Sequence, residues 1–302
     1  PHPQSAGTGI VIRNNQIYNY SFCGIYGGSP GLVIDSNYFE NNGLPASPQD
    51  HTIYLTGTVG RNTGMIVKNN DAYVNSSCGG VIFVFHQDLP NLTVDNNRIT
   101  SPSTNVNCFS IQSSFSAATD PAHFLNGKFR RNRSFMNGTR MEIKGCDGDC
   151  EITDNIVVGG YLAVGTDSCN ETAGGGGVWC THNAKVQNNS VYGNGVSSGS
   201  LIIGSNSFDA MVENNAIDGT CTYGGTYART QSGNVCSLTG TDAWVNPNSP
   251  VFNFTPAAGG PLLGTANQTY YSPTAIGSIQ WSPFDTGAAR SGTIDAGALL
   301  RQ

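Results

Sequence analysis

The chain has 302 residues and a net charge of −6; 11% of its residues are charged, 39 are glycine and 32 are asparagine. An acidic balance argues against a nucleic-acid partner and against attraction to anionic membranes, and no apolar stretch reaches the roughly 18 residues that span a bilayer. Helical periodicity is absent over any useful length, yet the 38% hydrophobic content recurs at regular strand positions, which excludes both a helical protein and a disordered one.

The first predicted strand runs through Ile12, Asn15 and Ile17, with an aliphatic residue three before the asparagine and another two after it. The arrangement returns at Asn37, Asn70, Asn97, Asn132, Asn155, Asn189 and Asn215, at spacings of 22, 33, 27, 35, 23, 34 and 26 residues. A period of this length with alternation inside each repeat marks a stacked β-solenoid, in which each coil buries its inward row against the next. The asparagines then align at one corner, where their amides can donate and accept along the stack.

A second strand follows each anchor, at Gly24–Tyr26, Thr52–Leu55, Val81–Val84, Phe109–Gln112, Met141–Lys144, Leu162–Val164 and Leu201–Ile203. Its inward row is aliphatic, and its outward row is expected to carry Tyr26, Tyr54, Ser110, Gln112, Glu142 and Lys144, with Phe83 or Phe85 beside His86. The pattern stops near residue 240, so we divide the chain into a solenoid over 1–240 and a loop-rich segment over 241–302, rich in Pro, Gly and Thr, that caps it. Such a cap covers an open apolar core and unpaired edge groups.

Nine cysteines point to an oxidising compartment and hence to a secreted, extracellular protein. Local pairing predicts disulfides 78–108, 146–150, 169–180 and 221–236, leaving Cys23 over, with its natural partner on a coil before Pro1. Asn-X-Ser/Thr sequons stand at Asn19, Asn75, Asn91, Asn132, Asn137, Asn170, Asn188, Asn253 and Asn267; Asn132 is a ladder position and is expected to be closed to modification.

The coils Gly9-Ile-Val-Ile-Arg-Asn-Asn-Gln-Ile-Tyr18 and Val186-Gln-Asn-Asn-Ser-Val-Tyr-Gly-Asn-Gly195, the segment Asp50-His-Thr-Ile-Tyr-Leu55 and the tail from Trp244 to Thr293-Ile-Asp-Ala-Gly-Ala298 resemble secreted proteins of the pectate-lyase-like superfamily. The resemblance covers nearly the whole chain and implies an all-β fold: a single-stranded right-handed parallel β-helix of about eight coils with an irregular C-terminal cap. It leaves the chemistry open, because that superfamily holds lyases, glycosidases, epimerases, tailspikes and non-catalytic surface proteins.

Six of the fourteen basic residues fall between 128 and 144, namely Lys128, Arg130, Arg131, Arg133, Arg140 and Lys144. They read either as a face that holds the carboxylates of a uronic-acid polymer or as a solvated face paired with Asp147, Asp149, Glu151 and Asp154. In the first reading Lys144 or Tyr54 is the base, Arg140 neutralises the substrate carboxylate, His51 or His86 assists proton transfer, and Glu142 shares the strand with them. Asp147 and Asp149, two residues apart between Cys146 and Cys150, would suit calcium if Glu142 or carbonyls completed the shell; no other cofactor is expected.

Two functions from different classes are consistent with these features. One is binding, with lyase- or epimerase-type processing, of an acidic polysaccharide along the second strand row. The other is a non-catalytic subunit of an extracellular fibre or surface layer, glycosylated and assembled as a homo-oligomer or end-to-end filament by coil stacking.

Overall fold

The computed structural model describes residues 8–42, 51–57, 62–74, 80–104, 108–114, 123–166, 180–194, 199–224, 230–238, 243–247 and 253–262. Three parallel sheets run the length of the molecule. Sheet A stacks nine strands, from Val11–Arg13 through Val33–Asp35, Ile66–Lys68, Thr93–Asp95, Lys128–Arg130, Glu151–Thr153, Lys185–Gln187 and Met211–Glu213 to Thr230–Ser232. Sheets B and C stack eight strands each, from Gln16–Tyr18 to Ala216–Ile217 and from Cys23–Gly27 to Cys221–Tyr223. Each turn of chain contributes one strand to each sheet in the order A, B, C, so the strands wind into a parallel β-helix, right-handed as parallel crossovers are.

Sequence periodicity merged sheets A and B into one strand; a left-handed turn separates them. The residue before each anchor asparagine takes a positive φ of 53–58°, at Asn14, Ser36, Asn69, Asn96, Arg131, Asp154, Asn188 and Asn214. Asparagine tolerates this region and explains five of the eight positions. Arg131 has no such intrinsic excuse, and its guanidinium is tied to Asp95 through Nε and Nη2.

The anchors form the predicted ladder. Each asparagine from Asn15 to Asn215 donates its backbone N–H and its Nδ2 to the Oδ1 of the next, with Nδ2···Oδ1 distances of 2.8–3.1 Å. From Asn37 onward the other Nδ2 hydrogen goes back to a carbonyl of the preceding coil, as from Asn97 to Val67 and from Asn132 to Val94. Every interior amide thereby meets its full bonding capacity at a buried site. A ninth member, Asn234, extends the ladder by one coil. Sequence reading missed it because Gln231 stands in the row held elsewhere by aliphatic residues such as Val212.

Inward rows fill the tube with aliphatic and phenylalanine side chains, Ile25, Ile53, Phe83 and Ile111 among them, in one continuous core. Phe83 and Phe85 belong to it and are fully buried, so the outward position between them is Val84, and Ser110 is likewise buried, donating to the Arg140 carbonyl. Cys146–Cys150 and Cys221–Cys236 are disulfides, and Cys108 and Cys180 are disulfide-bonded; their expected partners Cys78 and Cys169 lie outside the described residues. Cys23 is a buried thiol.

The described part of the C-terminal segment lies on the flank of the solenoid. Ala243, Trp244, Phe254 and Leu262 pack with Ile156, Val158, Tyr192 and Ala216 in a second cluster on sheet B, where Trp244 meets Tyr192 edge-on at 5.8 Å. Of the sequons, Asn132 and Asn188 are buried and Asn19 and Asn91 exposed; Asn75, Asn170 and Asn267, and the side chains of Asn137 and Asn253, lie outside the described residues. No helix among the described residues is long and apolar enough to cross a membrane.

Candidate functional site

Sheet C carries the outward side chains on which the sequence reading centred. Parallel register puts Tyr26 beside Tyr54 and Thr56 beside His86. The rings form a column: Tyr26 stacks on Tyr54 at 5.1 Å, Tyr54 on His86 at 5.3 Å, and His51 tilts against Tyr54 at 5.2 Å. Phe22, about half exposed, lies 5.9 Å from Tyr26 on the same, first coil and extends the column there. Because the rings are stacked on one another along the coil axis, their faces are largely used up within the column. What they offer outward is edges, hydroxyls and ring nitrogens, about one group per coil.

Four coils on, the same face becomes ionic. Glu142 Oε2 accepts from Gln112 Nε2 at 2.8 Å and lies 3.2 Å from Lys144 Nζ, while Oε1 accepts from the Thr166 hydroxyl at 2.8 Å. Lys144 is also fixed through its backbone, since its N–H donates to Ser113 Oγ and its carbonyl accepts from that hydroxyl. Arg140 is sandwiched: its guanidinium carbon lies 5.2 Å from the Phe109 ring centroid and 5.1 Å from that of Tyr161, an arrangement that satisfies cation and rings together. Arg140 and Glu142 therefore share the strand Arg140–Ile143 and Lys144 follows directly after it, with Arg140 held by the aromatic row and the other two held by each other.

Burial, with smaller contributions from Tyr26 and Cys23, pushes the Tyr54 phenol up, so at neutral pH it is a hydroxyl donor and not a phenolate base. Burial and the neighbouring His51 push the His86 imidazole down, which keeps that ring neutral. His51 Nδ1 lies 2.7 Å from the Val81 carbonyl, and a carbonyl can only accept, so Nδ1 carries a proton. This part of the face is thus an array of phenols and imidazoles that offers hydrogen-bond donors and acceptors, with the Tyr54 phenol protonated and the His86 ring neutral at neutral pH.

The basic cluster of residues 128–144 does not form one face. Lys128 and Arg130 point outward from sheet A, where Lys128 pairs with Glu151 at 3.2 Å and Arg130 bridges Asp95 and Glu151 at 3.1 and 3.4 Å. Register reveals an alternating row beneath them, Arg13, Asp35, Lys68, Asp95, Arg130, one residue per coil. Within this row Asp35 is bonded by Arg13, and hydrogen bonds from Asn69 and Ser36 with those cations outweigh desolvation and hold its carboxyl below the usual range. Asp147 and Asp149 diverge: Asp147 faces His123 at 3.4 Å, and Asp149 takes Lys185 and Lys128. The Lys185 hydrogen bond keeps the Asp149 carboxyl low. Among the described residues no group of three or more His, Cys, Asp or Glu side chains is placed to hold a metal ion.

Residues 4–129 match the family model described as right handed beta helix region. No curated protein and no solved structure matches the chain. The match and the three stacked sheets agree on the fold, a right-handed parallel β-helix.

Proposed function

We propose that the protein is secreted and binds a polysaccharide along the outer face of sheet C. The observation that carries this reading is the Tyr26–Tyr54–His86 column, continued on the same face by Gln112, Glu142 and Lys144. A linear glycan presents hydroxyls at regular intervals, and a column that repeats once per coil can meet them with neutral donors and acceptors while the ring edges cover sugar C–H groups. The Glu142–Lys144 pair marks where an acidic glycan would engage, by exchanging the internal carboxylate partner of Lys144 for one of its own. Arg140, braced between Phe109 and Tyr161, presents the edge of its guanidinium fork to the same substrate.

Binding is favoured over base-catalysed elimination because the Tyr54 phenol is held protonated and the Lys144 ammonium is engaged by Glu142. The test is titration calorimetry against pectate, alginate, glycosaminoglycans and neutral glucans at two salt concentrations, since contacts between cations and glycan carboxylates are screened. Tyr54→Ala should weaken binding about tenfold, and unchanged affinity in that variant sinks the reading. Ultraviolet absorbance of unsaturated products over the same panel tests processing, and Lys144→Ala must abolish any such product if this strand is catalytic.

A further inference from the structure

Past Arg130 the alternating row on sheet A changes character. Parallel register continues it through Thr153, Gln187 and Glu213, one residue per coil and none of them a cation. A second row runs beside it, made of the left-handed residues that precede the anchors. In earlier coils the two rows are bonded to each other: Asn69 Nδ2 donates to Asp35 Oδ1 at 2.9 Å and Arg131 Nε to Asp95 Oδ1 at 2.7 Å, each reaching back one coil. The same step sets Asn188 against Thr153.

There the bonding between the rows stops. Thr153 Oγ1, Gln187 Oε1, Asn188 Oδ1 and Glu213 Oε1 have no hydrogen-bond partner among the described residues, and each of these residues exposes 5% or less of its surface. The Gln187 amide is oriented by its Nε2, which donates to Glu213 Oε2 at 2.9 Å, so the atom on its other side is an acceptor. Glu213 in turn has one oxygen bonded and one open, and the bonded one meets only the neutral Gln187 amide. Across the same two coils the Asn188 N–H donates to the Glu213 carbonyl at 3.1 Å.

Four oxygens are thus gathered at one buried corner on three consecutive coils, spaced about 4.8 Å apart. Only the threonine hydroxyl among them has a hydrogen to give, and burying such a set against itself is costly. A water molecule supplies two hydrogens and leaves the charge of Glu213 uncompensated, whereas a hard cation answers all four oxygens at once. Calcium takes carboxylate, amide and hydroxyl oxygens in adaptable shells of about six to eight, while magnesium demands a tighter octahedron. Asp154, which follows Thr153 and is buried as well, places a second carboxylate at this corner.

We propose that Thr153, Gln187, Asn188 and Glu213 hold a calcium ion that clamps three coils of the solenoid. Only one of the four is an acid, so a search for clustered carboxylates passes over them. The site lies at the turn from sheet A to sheet B, whereas Asp147 and Asp149 lie at the entry to sheet A.

Titration calorimetry and thermal melts of the intact chain test the proposal, with calcium chloride, magnesium chloride or a chelator at one ionic strength. Calcium should bind with a dissociation constant of about 10⁻⁴–10⁻³ M, as in extracellular modules, and should raise the melting temperature progressively with its concentration. Glu213→Gln keeps the shape of the side chain and should weaken calcium binding about tenfold or more. That variant should melt above the parent in chelator and lose its advantage in calcium. Thr153→Val should weaken binding about threefold with the fold unchanged, and Asp149→Asn should leave it unaltered. No heat and no shift in melting temperature at about ten times the upper concentration overturns the proposal, as does an equal response to magnesium. A calcium response that survives Glu213→Gln, or that Asp149→Asn removes, puts the ion elsewhere and overturns it too.

Discussion

The asparagine corner and the outer face of sheet C are built by the same operation, one residue placed over its equivalent in the next coil, and they differ in what remains afterwards. At the corner every interior amide is spent on its neighbours, the residue is the same in all nine coils, and interior members are buried. On sheet C the row changes from coil to coil, Tyr26, Tyr54, Val84, Gln112, Glu142, Ala163, and the polar ends of several members reach solvent. Repetition without remainder identifies what holds this fold together. Variation along an equally regular row identifies where a ligand has something to distinguish.

The comparison is broken most forcefully at the corner. Asn132→Ala removes a side chain that donates to Val94 and Asn155 and accepts two bonds from Asn97, and it should cost about 3 kcal/mol in urea denaturation, whereas Asn15→Ala at the exposed first rung should cost under about 1 kcal/mol. Equal losses at the two positions would mean that the ladder is not the main support. Glu142→Gln tests the ionic part of sheet C: it takes the carboxylate partner from a largely buried Lys144, and a loss of about 2 kcal/mol is expected, with the same denaturation as readout.

A smaller effect with a pH signature comes from Glu213. Its side chain is fully buried on sheet A, Oε2 accepts from Gln187 at 2.9 Å, and Oε1 has no hydrogen-bond partner among the described residues. Desolvation raises its pKa above the ordinary 4.5, against the smaller opposing effect of Gln187. A raised folded-state value means that this group's contribution to stability is present below 4.5 and is lost as pH rises through the folded value. Glu213→Gln should accordingly be about 1 kcal/mol more stable than the parent at pH 7, and the gain should vanish near pH 4. The smallest stability change is expected at Tyr54→Ala, under about 1 kcal/mol on a partly exposed face. If that variant instead unfolds the protein, the column belongs with the corner as a structural device.

Much of the fold was legible because the anchors carry their own signal: one residue type, at one offset from aliphatic neighbours, returning eight times before the pattern fades. The left-handed turn beside each anchor went unread even where it holds asparagine, as at Asn69 and Asn96, because apolar periodicity runs straight through it, and at Ser36 and Arg131 the residue itself gives no signal for it. The candidate site was harder to read. Strand alternation brought Tyr26, Tyr54, Glu142 and Lys144 outward, but it also turned Ser110 outward when that hydroxyl lies buried beneath Arg140. Clustering along the chain misjudged the basic residues, because neighbours in a solenoid lie a full coil apart: Arg130 answers Asp95, 35 residues away, while Arg130 and Arg140 sit on different sheets.

Identical amides also have a weakness that the alternating row on sheet A offsets. Because each rung of the ladder resembles every other, a coil that paired with the wrong neighbour during folding could still close its amide bonds, and the corner would not register the mistake. The charges would. Skipping one coil brings Arg13 against Lys68 and Asp35 against Asp95, like against like, where the native order has opposites. The corner thus supplies adhesion without address, and the few charges this chain retains act as the address that tells one coil from the next.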